Sequence, residues 1–225
     1  MNYNTDRKKY GAVEAIIIIN SILFALPWVY SFLTRDGILY NYIMGIFALH
    51  FNKPYTFTIN SGAYWQLLTS VFLHGGMWHL FFNMYALYIF GKPLEDRWGK
   101  VKFLSFYLTT GILANVGSIG FFSLTNASVS MVGASGAVFG ILLAFGGYYP
   151  DVRLLLFFVI PIKVKWAILL FAGIELFAEL TGSMDGIAHM THLFGFLAGF
   201  LYLLIFFKTN PIKEMFFIKK TYYYE

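Results

Sequence analysis

The sequence predicts an all-α integral membrane protein with six spanning helices. Three observations carry that expectation. Apolar residues make up 59% of the chain against 12% charged. Six apolar segments have the length, or nearly the length, of a bilayer crossing. Basic residues gather on alternate connections between those segments. Soluble domains carry roughly 25% charged residues, so this chain lacks the polar surface that a water-soluble globule needs. Its 225 residues suit one domain. Residues 1–225 are read as a single membrane unit, with a core over about 65–207 and tails at 1–11 and 208–225.

Sixteen Lys and Arg against eleven Asp and Glu give a net charge of +5. A basic balance alone is compatible with nucleic acid, but the aromatic share of 21% and the placement of the charges point to a lipid bilayer. No nucleic-acid partner is expected. Cysteine is absent, which excludes disulfides, thiolate metal sites and cysteine catalysis.

The first apolar run, 12–32, spans about 31 Å as a helix, a full hydrocarbon core rather than the short apolar centre of a signal peptide. Further spans are expected at about 71–91, 103–122, 135–148, 166–182 and 188–207. The fourth reaches only about 21 Å, so its N-terminus is expected below the membrane surface. Lipid cannot satisfy the free N–H groups there, and such an end must pack in protein or face a water-filled cavity.

Orientation follows from the basic residues. Arg7, Lys8 and Lys9 precede the first span; Lys92, Arg97, Lys100 and Lys102 join the second to the third. Arg153, Lys163 and Lys165 join the fourth to the fifth, and Lys208, Lys213, Lys219 and Lys220 follow the sixth. Only Arg35 and Lys53 fall on the other side. The positive-inside rule then puts both termini in the cytoplasm, as expected of a multi-pass protein of the cell (inner) membrane. The first external connection, about 33–70, is long and rich in apolar and aromatic residues, and is expected to lie in the interface. Leu154 to Ile162 reads as a second interfacial element, on the cytoplasmic side.

Polar residues inside spans are costly and point to function. The fourth span opens with Gly133-Ala134-Ser135-Gly136. A serine at a submerged helix N-terminus has free N–H groups and the positive end of the helix dipole beside it, where an oxyanion is stabilised. Gly136 with Gly140 also makes a close-packing face, so a purely packing serine is the alternative. A serine nucleophile needs a base. His189 and His192, one turn apart at the start of the last span, share a helix face. The second span carries His74, His79 and Asn83, the last two at i and i+4. Burying both requires partners or water. Interfacial or inter-helix hydrogen bonding is the alternative for these groups.

Together these clusters resemble the rhomboid intramembrane serine proteases over about residues 65–200. The matching stretches are Trp65-Gln66, HGGMWHLFFN from His74 to Asn83, GASG around Ser135, and HLFGFLAG from His192. The resemblance implies a six-transmembrane-helix rhomboid-like bundle acting as a serine endopeptidase on the transmembrane helices of membrane-protein substrates. In it Ser135 attacks the peptide carbonyl, His192 is the base, and His79, Asn83 and the Ser135 N–H hold the oxyanion. The family places glycines three and seven residues after the catalytic histidine. Gly195 and Gly199 fit His192, whereas the same offsets from His189 reach His192 and Phe196. Against this, the residue before the base is usually alanine; Ala188 precedes His189, and Thr191 precedes His192. Gln66 stands where many rhomboids have a loop-anchoring arginine. Phe139 stands where many have a tyrosine that stacks on the histidine.

Neither histidine motif has a carboxylate beside it in the sequence, so a dyad is expected. Glu175 and Glu179 form the acidic pair at membrane depth, where inter-helix bonding is the favoured role and a third catalytic member the other. No cofactor and no catalytic metal are expected, since an HExxH motif is absent. Aspartyl chemistry needs two aspartates inside helices, and Asp185 stands alone in a loop. The alternative to an enzyme is an inactive rhomboid-like protein that binds transmembrane segments.

Overall fold

The computed structural model describes residues 11–156, 159–182 and 189–218. Arg7, Lys8, Lys9, Lys219, Lys220, Asp185 and the first residue of the last expected span lie outside the described residues. The chain runs through α1 (Ala12–Thr34), α2 (Ile38–Phe47), β1 (Leu49–Phe51), the single turn α3 (Gln66–Thr69), α4 (Met77–Ala86) and α5 (Lys92–Trp98). It continues through α6 (Lys100–Leu124), β2 (Val129–Met131), α7 (Ser135–Tyr148), β3 (Arg153–Leu156) and β4 (Ile160–Lys163). It ends with α8 (Val164–Thr181), α9 (His189–Phe206) and α10 (Pro211–Phe216). Helix covers most of each of the six expected spans. Among the described residues α1, α6 and α9 are long and apolar enough to cross a membrane.

The bundle is organised around α7. Eleven of its fourteen residues are buried, and α6 and α9 pack against it. Backbone contact between α7 and α9 rests on facing glycines. A methyl group at Gly199 would lie 2.8 Å from the Gly140 Cα, and one at Gly195 would run into the Gly136 carbonyl. This is the close approach that the glycine spacing after His192 leads one to expect. The outer faces stay apolar: Ile18, Ile22 and Leu26 on α1, Trp78 and Phe82 on α4, and Leu169, Phe177 and Leu180 on α8 are exposed. Apolar surface this extensive matches lipid rather than water.

The N-terminus of α1 is held by a distant carboxylate. Glu95, buried on α5, accepts from the backbone N–H of Ala12 at 2.6 Å and of Val13 at 3.2 Å. Those N–H groups have no partner within their own helix. Lys92 pairs with Glu14 at 2.7 Å beside them.

Two expectations are corrected. The second helix does not begin near residue 71. A short 3-10 turn at Ser70–Phe72 is followed by a break, and α4 starts only at Met77. The break opens at the extended Leu73, and Gly75-Gly76 prolong it, because glycine gains more freedom than any residue outside a helix. His74 therefore precedes the helix instead of riding on it. From Met77 the chain stays helical to Trp98, through a π-helical turn at Leu87–Gly91. Nor is the fold wholly α. β1 pairs antiparallel with β2, Leu49 opposite Met131, and β3 pairs with β4, Arg153 opposite Lys163. In this second pair short apolar strands satisfy each other's backbone groups between helices.

The segment between α1 and α4 is tied down by side chains that take up the orphan carbonyls of α2. Trp65 Nε1 donates to the Ile46 carbonyl at 3.0 Å and Thr69 Oγ1 to Phe47 at 2.7 Å. Gln66, fully buried, does the most. Its Nε2 donates to Ile46 and Phe57, both at 3.1 Å, and its Oε1 accepts from the His50 N–H at 3.0 Å. A neutral amide thus anchors this loop. Gln66→Ala leaves the buried His50 N–H without its partner, at about 1–3 kcal/mol, removes a donor from the Phe57 carbonyl, and leaves the Ile46 carbonyl to Trp65 alone. It is expected to lower the melting temperature and to open the segment 36–64 to protease. Unchanged melting and protection would show that the anchor is dispensable.

His50 adds a pH dependence to the same loop. Its Nδ1 lies 2.8 Å from Ser130 Oγ and its Nε2 3.0 Å from the Met44 carbonyl. Burial holds its pKa below the ordinary histidine value, with Lys53 acting in the same direction. The unfolded chain therefore takes up a proton that the folded one refuses. Its contribution to stability is complete above the ordinary histidine pKa and is lost as pH falls through that value toward the folded one.

Candidate active site

Ser135 is the first residue of α7, reached from β2 through a sharp turn. Gly133 makes that turn at φ +126°, a conformation reserved for glycine, and its N–H donates to the Ser70 carbonyl at 2.9 Å. Ser70 is itself held by Asn115, whose Nδ2 donates to Ser70 Oγ at 3.0 Å and to the Leu67 carbonyl at 2.9 Å. The strand, the turn and α6 together fix where Ser135 points. At the helix start its N–H is one of the orphan donors.

Two histidines line the turn from the α4 side. His74 Nε2 accepts from the Ala134 N–H at 3.5 Å, a long bond that gives the neutral ring its proton on Nδ1. Its ring meets that of His79 edge-on, with centroids 5.0 Å apart. His79 leans over Gly133. A methyl group there would lie 2.7 Å from His79 Cε1 and Nε2 and 3.6 Å from Ser135 Oγ. The absence of a side chain on Gly133 thus lets the His79 ring close over the turn beside Ser135. Asn83, one turn further along α4, is buried, and its Nδ2 donates to the His79 carbonyl at 2.8 Å. A carboxamide nitrogen carries two protons, so one remains for another acceptor.

The last helix supplies His189 and His192. Phe139, four residues after Ser135 and hence on the same face of α7, stacks on His192 with ring centres 4.3 Å apart and planes 7° from parallel. The histidine that satisfies the glycine spacing is also the one facing the serine's stripe of α7. Next to His192, Thr191 packs its methyl against Gly136 and bonds Ser118 Oγ at 2.8 Å.

One residue joins this group that sequence distance concealed. Glu175 on α8 brings its Oε2 to 2.5 Å from His189 Nδ1 and to 3.0 Å from His192 Nδ1. The first contact is a hydrogen bond; the second is close but out of line for one. The inter-helix bonding expected of Glu175 is present. The expectation that no carboxylate stands near the histidines is overturned, because α8 and α9 run side by side and bring residues fourteen and seventeen positions apart together.

A serine at a helix N-terminus, with a histidine stacked on a ring four residues along its own helix and a second histidine over the preceding turn, is joined by agreement along the chain. The Rhomboid domain model matches residues 61–209. The chain belongs to the rhomboid family. It is 30% identical over 203 residues to "Putative rhomboid protease YdcA" of Bacillus subtilis, covering 89% of this chain and 90% of that protein. It is 32% identical over 140 residues to "Rhomboid protein 1, mitochondrial" of Saccharomyces cerevisiae, covering 55% of this chain and 40% of that one. To "Rhomboid protease GluP" of Bacillus subtilis it is 42% identical over 84 residues, 37% of this rhomboid and 16% of GluP. The family and the apolar helices make this chain a multi-pass membrane protein, similar to proteins named as proteases.

Proposed function

We propose that this rhomboid is an intramembrane serine endopeptidase, with Ser135 as nucleophile and His192 as base. The observation that carries this reading is the stacking of His192 on Phe139 beside the α7 N-terminus. That contact puts an imidazole on the serine's face of the helix. In the reaction Ser135 Oγ attacks a peptide carbonyl and gives its proton to His192, and the leaving amine takes that proton back. Water then releases the acyl group by the same route. Glu175 hydrogen-bonds His189 and not His192, so the reading is a Ser135–His192 dyad. The Ser135 N–H, His79 and the free amide proton of Asn83 are the donors to the oxyanion.

In this reading the six helical segments all cross the bilayer, both termini are cytoplasmic and the segment 33–70 lies in the external interface of the cell membrane. Fourteen of sixteen basic residues on one side support it. Substrates are transmembrane helices of membrane proteins.

The test is cleavage of a single-span substrate by the purified chain in liposomes, with the new termini mapped by mass spectrometry. Cuts within or at the edge of the span are expected. A chain that binds such spans without cutting any is an inactive rhomboid-like binding protein, and the proposal fails. The oxyanion donors have their own signature. His79→Ala and Asn83→Ala are each expected to lower kcat by roughly 10- to 1,000-fold. An effect confined to KM would assign them to binding or packing.

A further inference from the structure

We propose that Glu175, His189 and His192 form a Zn2+ site whose occupation removes His192 from service as the base and so inhibits the protease. The inference rests on the reading of His192 given above, but the site itself does not. Three side chains from α8 and α9 converge, each offering one ligand atom, and these atoms lie within 4.8 Å of one another. Exposure is 13% for the Glu175 side chain, 6% for His189 and 12% for His192. Two imidazole nitrogens and one carboxylate oxygen are a ligand set that zinc takes readily, leaving a fourth position open.

Hydrogen bonding satisfies this tripod only in part. Glu175 Oε2 bonds His189 Nδ1, while His192 Nδ1 is buried, 3.0 Å from the same oxygen and out of line for a bond. A cation at the centre needs each imidazole turned so that its in-plane nitrogen lone pair points inward, which rotation of the His192 and His189 side chains supplies. Ligand atoms around tetrahedral zinc at about 2.1 Å stand roughly 3.4 Å apart. The observed separations of 2.5 and 3.0 Å from Glu175 Oε2 are shorter than that figure, so the side chains must draw apart to admit the ion. An imidazole held by zinc at Nδ1 is fixed in orientation and resists protonation. It can no longer accept and pass on the serine proton. Magnesium and calcium prefer all-oxygen shells and do not suit two imidazoles.

The experiment uses the full chain in detergent, freed of metal with EDTA, and follows Zn2+ binding by calorimetry alongside cleavage. Wild type and Ser135→Ala are both expected to bind one Zn2+ per chain, and Mg2+ to give no signal. His189→Ala loses a direct ligand. Its affinity is expected to fall by more than the roughly 10- to 100-fold that an outer partner costs. His189→Cys, which restores a zinc ligand, is expected to recover binding; recovery separates ligation from packing. Zn2+ is expected to stop cleavage by wild type, reversibly on adding EDTA, and to leave cleavage by a folded His189→Ala nearly unaffected. No Zn2+ binding by wild type, or binding that His189→Ala leaves unchanged, overturns the site. Binding through these residues that does not slow cleavage overturns its inhibitory role. Because Ser135→Ala reports binding without proteolysis, zinc bound by a chain that cleaves nothing keeps the site and rejects the protease reading instead.

Discussion

Ser135→Ala is expected to abolish cleavage of a transmembrane substrate, a loss of at least about 10^4-fold, while expression and melting stay near wild type. The size follows from chemistry. Without a nucleophile only the oxyanion donors and substrate binding remain, and those supply a small residue of the rate. Stability is expected to hold because Ser135 is half-buried at a helix start and removing its hydroxyl opens little space. Initial rates on wild type and variant in the same detergent, with a melting curve on each, make the comparison. Residual cleavage above a tenth of wild type would remove Ser135 from the mechanism.

The second large effect separates the two histidines. His192→Ala is expected to lower kcat by roughly 10^2- to 10^4-fold, the scale of losing a general base. His189→Ala is expected to cost no more than about tenfold on the same scale. The difference comes from position. His192 stacks on Phe139 in the serine's stripe of α7, whereas the His189 side chain meets Glu175 on α8. The reverse pattern would move the base one turn toward the start of α9. Equal loss in both, with melting unchanged, would mean that the histidines act through Glu175 as a unit.

Much of this arrangement is legible in the chain because it is local. Gly195 and Gly199, spaced one turn apart after His192, announce a close helix crossing, and they face Gly136 and Gly140 in the fold. Ser135 at the head of a short apolar run announces a helix end, and α7 starts there. What distance hides is less accessible. Glu175 reaches the histidines only because α8 and α9 lie side by side, and nothing in either segment encodes which face meets the other. His74 looks helical by its apolar surroundings, yet the preceding turn ends at Phe72 and the next helix starts only after Gly75-Gly76, which leaves His74 in a loop bonded to Ala134. Gln66 looks like a lost cation but anchors its loop as a neutral amide, because the partners there are carbonyls and an N–H rather than charges. Strands of three and four residues carry too few alternations to be read at all.

The account turns on an activated Ser135, and covalent labelling tests that most directly. Wild-type protein treated in detergent with a fluorophosphonate, digested and mapped by mass spectrometry should carry a single adduct, on Ser135. The adduct should be absent from Ser135→Ala and from His192→Ala, since an unassisted serine hydroxyl is a poor nucleophile. An adduct on another residue of a chain that cleaves its substrate, or labelling of Ser135 undiminished in folded His192→Ala, would contradict it.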